Sequence, residues 1–224
     1  MSLIVYGANL SPFVRKVRVL LAEKGLAYSL EPINPFAPPP EFVEISPLKR
    51  IPAFRDTDLP ESDNHLADSS VICDYLEHRY TNPPLYPQEP YARARALWFE
   101  EYADSQIASN MVRPLFFERI VKKILRQQPD ETICEAALRD HMPAIGDYLE
   151  KEIGRRDYLV GNTFSIADIA VATMFVNVRH AGELVDAGRW PNLAAYVAHI
   201  HERPSFKSLI EEETPVVQHF RAAA

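Results

Sequence analysis

A proline-rich segment near the middle of the chain sets the strongest limit on how it can fold. Residues 81–90 read Thr-Asn-Pro-Pro-Leu-Tyr-Pro-Gln-Glu-Pro. Each proline fixes φ and removes a backbone donor, so the segment suits neither a helix interior nor a central strand. We therefore predict a linker at 81–90 that joins two domains, residues 1–80 and residues 91–224.

The predicted first domain alternates strand and helix signals. Ser11 followed by Pro12 begins a helix that Gly25 ends. Short apolar or alternating runs predict strands at 3–6, 27–33, 51–55 and 65–67, and two further helices suit residues 40–45 and 69–79. This order favours a small mixed sheet covered by helices, an α/β domain.

The predicted second domain is all-α, because no strand-like alternation lasts there. Helices suit residues 91–110, 113–127, 130–153, 165–180, 191–203 and 204–213. The helix at 165–180 has the strongest start signal, a capping box formed by Ser165 and Asp168. Its body is apolar nearly all round, which predicts a buried helix central to the domain.

Charge and cysteine usage exclude several function classes. Lysine and arginine number 24 against 31 aspartate and glutamate, a formal net charge of −7 with no basic stripe, which argues against a nucleic-acid partner. No apolar run approaches the roughly 20 residues of a membrane helix, and the start lacks a signal peptide. Cys73 and Cys134 lie far apart without metal-ligand spacing. We expect a cytoplasmic protein with no membrane partner and no metal.

The start of the first helix carries the first candidate site. In thioredoxin-like folds this place holds a CxxC motif, and here Ser11 and Val14 occupy the two cysteine positions. Disulfide exchange needs a thiolate, so such chemistry through protein cysteines is excluded. The Ser11 hydroxyl at a helix N-terminus can instead donate a hydrogen bond to an anion on a ligand. The alternative is that Ser11 only caps the helix.

Two further candidates follow along the first domain. Ile51-Pro52 at a strand start suits a cis peptide that leaves the Ile51 backbone available to an extended peptide. Asp68 and Ser69 stand at a strand-to-helix junction, where N–H groups and a hydroxyl can bind a carboxylate and Asp68 can accept from an ammonium. The alternatives are that Pro52 ends a loop and that Asp68 and Ser69 cap a helix.

Together these motifs resemble the cytosolic glutathione transferase family, and a bacterial serine-type member most closely. The resemblance runs from residue 3 to about 206 and rests on LSPFVRKVRVLLAEKGL, SPLKRIPAF, LADSSVICDYL, NPPLYP and FSIADIAV. It implies a thioredoxin-like N-terminal domain, an all-helical C-terminal domain, glutathione as co-substrate and a homodimer. The implied activity is conjugation of the glutathione thiol to small electrophiles, as in detoxification.

The resemblance also implies roles for single residues. Ser11 would contact the glutathione sulfur, with Tyr6 as a rival hydroxyl, since some classes use a tyrosine near the end of the first strand. Ile51, before the cis Pro52, would pair with the cysteinyl part of the tripeptide. The γ-glutamyl end would be held by Asp68 and Ser69, and by Asp104 of the other subunit. Arg50 or its neighbour Lys49 would face the glycyl carboxylate.

The second substrate would lie between the domains. The implied wall residues are Leu10, Arg113, Phe116 and Phe117, with Phe220 from the tail, and the alternative is that these aromatics are ordinary core. Two other functions stay open. One is a non-catalytic regulatory or binding module of the stringent-starvation type. The other is a glutathione-dependent isomerase, dehalogenase or peroxidase.

Overall fold

A computed structural model describes residues 2–222 of the chain, and of Asp63 only the backbone. Contacts between Cα atoms divide the chain between Leu85 and Tyr86 into two units. The first unit contains a four-stranded sheet with helices and the second is helical, which confirms the predicted fold class. Among residues 2–222, no helix is both long enough and apolar enough to cross a bilayer.

The first unit is a mixed sheet with strand order β2-β1-β3-β4. Strands β1 and β2 are parallel, whereas β1–β3 and β3–β4 are antiparallel. The predicted strand at 51–55 begins later, at Ala53, because Pro52 has no N–H to donate to a ladder. The elements are β1 (Leu3–Gly7), α1 (Pro12–Glu23), β2 (Tyr28–Pro32), α2 (Pro40–Ile45), β3 (Ala53–Asp56), β4 (His65–Ala67) and α3 (Ser69–Arg79).

Helices α1 and α3 are joined by a buried polar contact at the end of α1. The Lys24 ammonium lies 2.7 Å from a Glu77 carboxylate oxygen and also donates to the Tyr80 and Pro83 carbonyls, at 2.6 and 3.0 Å. The same carboxylate accepts from the Leu85 N–H. A buried cation needs such partners, so this cluster holds the end of α1 and the chain after α3 in place.

The helical unit contains α4 (Pro90–Tyr102), a π-helical segment (Ala103–Val121), and α5 (Lys122–Ile124), which follow one another without a break. The predicted interruption between 110 and 113 is therefore wrong. Pro114 lies inside the π-helical segment rather than at a helix start, and Met111 and Leu115 beside it are buried. Packing of this buried face outweighs the hydrogen bond that the proline removes.

Two other helix boundaries also differ from prediction. The predicted helix at 130–153 is two helices, α6 (Glu131–Asp140) and α7 (Met142–Ile153), because Pro143 cannot continue the first one. The predicted end at 213 is wrong as well. After α8 (Ile166–His180) and α9 (Pro191–His201), helix α10 runs from Pro204 to Ala222 with Pro215 inside it.

Helix α8 is the buried helix that the sequence predicts. Every residue of it except Arg179 is buried. Asp168 Oδ2 accepts from the Ser165 N–H at 2.9 Å and from its hydroxyl at 3.2 Å, which confirms the predicted pairing of the capping box. His180 near its other end contacts Glu213 of α10, with 2.8 Å between Nε2 and Oε2. These contacts fix α8 at both ends.

Candidate functional site

The N-terminus of α1 carries the first candidate, Ser11. Its Oγ accepts a hydrogen bond from the Val14 N–H at 3.4 Å, so Ser11 does cap the helix. Among residues 2–222 this hydroxyl donates to no acceptor, and the Phe13 N–H has no partner. Both can therefore donate to an anion at the positive end of the helix dipole. Capping and ligand binding are compatible here, because the Ser11 oxygen accepts the capping hydrogen bond while its hydrogen can be donated to a ligand.

Gly7 lets β1 and α1 approach closely beside Ser11. A Cβ at Gly7 would lie 2.4 Å from Val14 Cγ2, far inside van der Waals contact. Val14 is fully buried, so the methyl group has no free space to move into. Gly7 is not among the residues predicted for the site, although a glycine at the end of a strand is itself a signal for a close approach.

Tyr6, the rival hydroxyl, points to the other face of the sheet. Side chains alternate along β1, and the face of Leu3, Val5 and Gly7 is the one that meets α1. The Tyr6 ring instead lies 6.4 Å from the ring of His65 on β4. Burial, with a contribution from Arg55, lowers the pKa of His65, which keeps that imidazole neutral near pH 7.

The turn before β3 brings Arg50 and Ile51 to the start of that strand. The Ile51–Pro52 peptide is cis, as predicted. Among residues 2–222 the Ile51 N–H and carbonyl have no hydrogen-bond partner, so both remain available to an extended ligand. Lys49 and Arg50 are both exposed, and Lys49 has a positive φ of 55°.

The start of α3 carries Asp68 and Ser69. Asp68 Oδ1 caps the helix by accepting from the N–H groups of Ser70 and Val71, at 2.9 and 3.4 Å. Its Oδ2 makes no hydrogen bond to residues 2–222 and can accept from an ammonium. Ser69 is 4% exposed, and neither its hydroxyl nor its N–H has a partner within the described chain. These two donors suit a carboxylate.

A buried lysine lies beneath this junction. Lys16 of α1 is fully buried, and its ammonium donates to the Ser70 hydroxyl at 2.9 Å. It links the helix that carries Ser11 to the helix that carries Ser69. A cation near the first turn of α3 adds to the positive potential that a carboxylate meets there. No sequence pattern marked this residue.

The candidates in the helical unit lie on the π-helical segment and the tail. Asp104 and Phe117 are half-buried, Arg113 is exposed and Phe116 is only 5% exposed. In the tail, Phe220 is half-buried in α10 and stacks edge-on with His219, with 5.0 Å between the ring centroids. Leu10, in the first unit, is half-buried just before Ser11. The burial of Phe116 is that of a core residue.

Neither cysteine lies in an environment that favours nucleophilic chemistry. Cys73 and Cys134 are both buried, and burial raises the pKa of the Cys134 thiol to about 11. Within residues 2–222, no group of three or more histidine, cysteine, aspartate and glutamate side chains is arranged to hold a metal ion.

Two surface cavities open on the helical unit, with volumes of about 390 and 270 Å³. None of the predicted site residues lines either cavity. The larger is lined by Arg119, Lys123, Pro129, Glu131, Ala181, Gly182 and Arg221. Arg119 donates to Glu131 and Glu183, so these carboxylates neutralise much of its positive charge.

Comparisons with known proteins cover both units. Residues 5–84 match the family model described as glutathione S-transferase, N-terminal domain, and residues 91–199 match glutathione S-transferase, C-terminal domain. A stringent starvation protein A homolog of Haemophilus ducreyi is 27% identical over 91% of this chain and 87% of its own. A glutathione S-transferase of Hyoscyamus muticus is 29% identical over 94% and 99%. The crystal structure of a glutathione S-transferase from Rhodospirillum rubrum superimposes with a TM-score of 0.83 at 28% identity, over 92% and 91% of the two chains.

Proposed function

Because the chain belongs to the glutathione S-transferase family, we propose that it binds glutathione and conjugates the thiol to a small electrophile. The observation that carries this proposal is the Ser11 hydroxyl at the start of α1, which caps the helix weakly and keeps its proton for another acceptor. Ser11 would donate a hydrogen bond, without giving up its proton, to the glutathione sulfur and so stabilise the thiolate.

The magnitude of this effect is sufficient without a general base. A thiol of pKa about 8.5 is only about 3% ionised at pH 7. Lowering the pKa by about two units requires roughly 2.7 kcal/mol of preferential thiolate stabilisation. A hydroxyl donor to a charged sulfur contributes about 1.5–3 kcal/mol and a helix N-terminus about 0.3–1 kcal/mol. Holding sulfur and electrophile together would supply further acceleration.

The remaining groups would hold the tripeptide along the first unit. The Ile51 backbone would pair with the cysteinyl residue, beside the cis Pro52. The Ser69 donors would bind the γ-glutamyl carboxylate, and Asp68 Oδ2 would accept from the γ-glutamyl ammonium. The glycyl carboxylate would face one of the exposed cations of the turn before β3.

We also propose a homodimer in which Asp104 of one subunit reaches the γ-glutamyl ammonium bound to the other. The electrophile would contact Leu10, Arg113, Phe117 and Phe220, which all keep some exposed surface. Phe116 would contribute only as packing behind them. Conjugation of small electrophiles at such a site would serve detoxification.

The deciding experiment measures the pKa of bound glutathione in two variants. Thiolate absorbance near 240 nm is followed against pH for the wild type, Ser11→Ala and Tyr6→Phe. We expect Ser11→Ala to raise the thiol pKa and lower turnover at pH 7, with glutathione affinity within a few-fold of wild type. Tyr6→Phe should change much less. A shifted pKa in Tyr6→Phe and none in Ser11→Ala would reverse the assignment.

A second candidate function is a regulatory or binding protein that does no conjugation. The observation that favours it is the similarity to the stringent starvation protein A homolog. One observation argues against this second candidate. Within the described chain, hydrogen-bonding groups at Ser11, Ile51 and Ser69 lack partners and so remain available to a ligand. Calorimetry with glutathione separates the two candidates, because a module without a glutathione site would release no binding heat. A panel of electrophiles would separate conjugation from isomerase, dehalogenase or peroxidase activity.

A further inference from the structure

The turn between α2 and β3 is closed by one buried serine, Ser46. It is 1% exposed, whereas Pro47, Leu48, Lys49 and Arg50 after it are all exposed. Ser46 ends α2, where its N–H donates to the Phe42 carbonyl at 2.9 Å. Its own carbonyl accepts from the Lys49 N–H at 2.8 Å. The backbone of Ser46 therefore belongs to both the helix and the turn.

The Ser46 side chain binds the far end of the same turn. Its hydroxyl donates to the Arg50 carbonyl at 2.8 Å and accepts from the Arg50 N–H at 3.3 Å. Both polar groups of the Arg50 backbone are thus satisfied by one buried oxygen. Because Arg50 and the three residues between it and Ser46 are exposed, packing does little to hold the turn, and this contact is the main constraint on Arg50.

Arg50 directly precedes Ile51, so the orientation of the Ile51 peptide depends on this contact. The carbonyl that Ser46 holds is the one bonded to the Ile51 nitrogen, and it shares a plane with the Ile51 N–H. Fixing that carbonyl fixes the direction in which the Ile51 N–H points. The same contact places the Cα of Arg50, whose charged side chain is exposed.

We propose that Ser46 is a positioning residue for ligand binding, which holds the Ile51 N–H and the Arg50 side chain in the geometry that a bound tripeptide requires. This inference rests on the proposed function, since the ligand is glutathione. Ser46 does not touch the ligand and has no part in lowering the thiol pKa. It acts by keeping the turn ordered before binding, so that binding does not have to order it.

The test is calorimetric titration of the whole protein with S-methylglutathione, together with the pKa of bound glutathione from absorbance near 240 nm. Ser46→Ala should raise the Kd about tenfold, which is about 1.4 kcal/mol. The pKa of the bound thiol should stay at its wild-type value. Glu44→Gln is the matched control, because Glu44 is exposed in α2 and its side chain makes no hydrogen bond or ion pair within residues 2–222, and it should leave both measurements unchanged.

Circular dichroism shows whether Ser46→Ala keeps its fold. If it does not, Ser46→Cys retains the side-chain size with a weaker donor and should raise the Kd several-fold. A folded variant with unchanged Kd would overturn the inference while leaving the proposed function intact. A thiol pKa that rises along with the Kd would also overturn it, because the whole site would then have been disturbed. A wild-type protein that binds neither ligand would overturn the proposed function and this inference together.

Discussion

Replacing Asp168 by alanine should destabilise the helical unit far more than the loss of a helix cap. Asp168 is fully buried. One carboxylate oxygen accepts from the Leu159 N–H at 2.8 Å and the Tyr196 hydroxyl at 3.0 Å. The other accepts from the N–H and hydroxyl of Ser165. Asp168 therefore connects the start of α8 to α9 and to the loop before α8.

The structure sets the magnitude of this loss. An N-terminal cap alone contributes about 0.5–2 kcal/mol. Removing the carboxylate also leaves Leu159, Ser165 and Tyr196 with buried donors and no acceptor, and each such donor costs about 1–3 kcal/mol. We expect Asp168→Ala to lower the free energy of unfolding by about 3–6 kcal/mol. That is a large part of the roughly 5–15 kcal/mol that stabilises a typical protein.

The loss should also depend on pH. Burial raises the pKa of Asp168 to about 6, although its hydrogen bonds act in the opposite direction. The unfolded value is about 3.9, so between pH 4 and 6 the folded state binds the proton more tightly. Stability from this protonation is fully present below about pH 4 and is lost as the pH rises through about 6. The penalty of Asp168→Ala should therefore be larger at pH 4 than at pH 8, by about 2 kcal/mol.

Urea unfolding followed by circular dichroism at pH 4, 6 and 8 measures both effects. Asp157→Ala is the control, because Asp157 is exposed and makes no hydrogen bond within the described residues. Tyr196→Phe should cost only about 1 kcal/mol, because it removes one donor and orphans none. An Asp168→Ala penalty below about 2 kcal/mol would refute the orphaned-donor argument. A penalty that does not change with pH would refute the assigned titration.

Three other predictions concern binding, packing and assembly. Ser69→Ala should weaken glutathione binding by about 1.5–3 kcal/mol in calorimetry. Unchanged affinity would mean that the Ser69 hydroxyl does not bind the ligand. Gly7→Ala should destabilise the protein by about 1–3 kcal/mol in urea, because the new methyl meets Val14, and the loss should shrink in the Gly7→Ala/Val14→Ala double variant. Light scattering at micromolar concentration should give a dimer of the 25.5 kDa chain, and a monomer would remove the role of Asp104 in trans.

Strong local signals predicted the elements that build the candidate site. Ser-Pro at the start of α1, the proline before β3 and Asp68 at the start of α3 each act within a few residues, through a fixed φ, a missing donor or a cap. Two of the helix boundaries that failed, apart from the split at Pro143, involve Pro114 and Pro215. Both prolines lie inside helical segments whose buried faces pack on distant parts of the chain, which local propensity does not register.

Local sequence patterns were enough to predict the fold class, the order of strands and helices in the first unit, and the residues that bear the candidate chemistry. The contacts that fix the positions of those groups could be learned only from the tertiary structure. Only folding brings Lys16 beneath Ser70, places Gly7 against Val14 and points Tyr6 to the sheet face away from α1. It also makes Asp168 a buried acceptor for α9 rather than a simple cap. The physical reason is that these contacts join residues far apart in the chain, whose approach depends on how whole helices and strands pack.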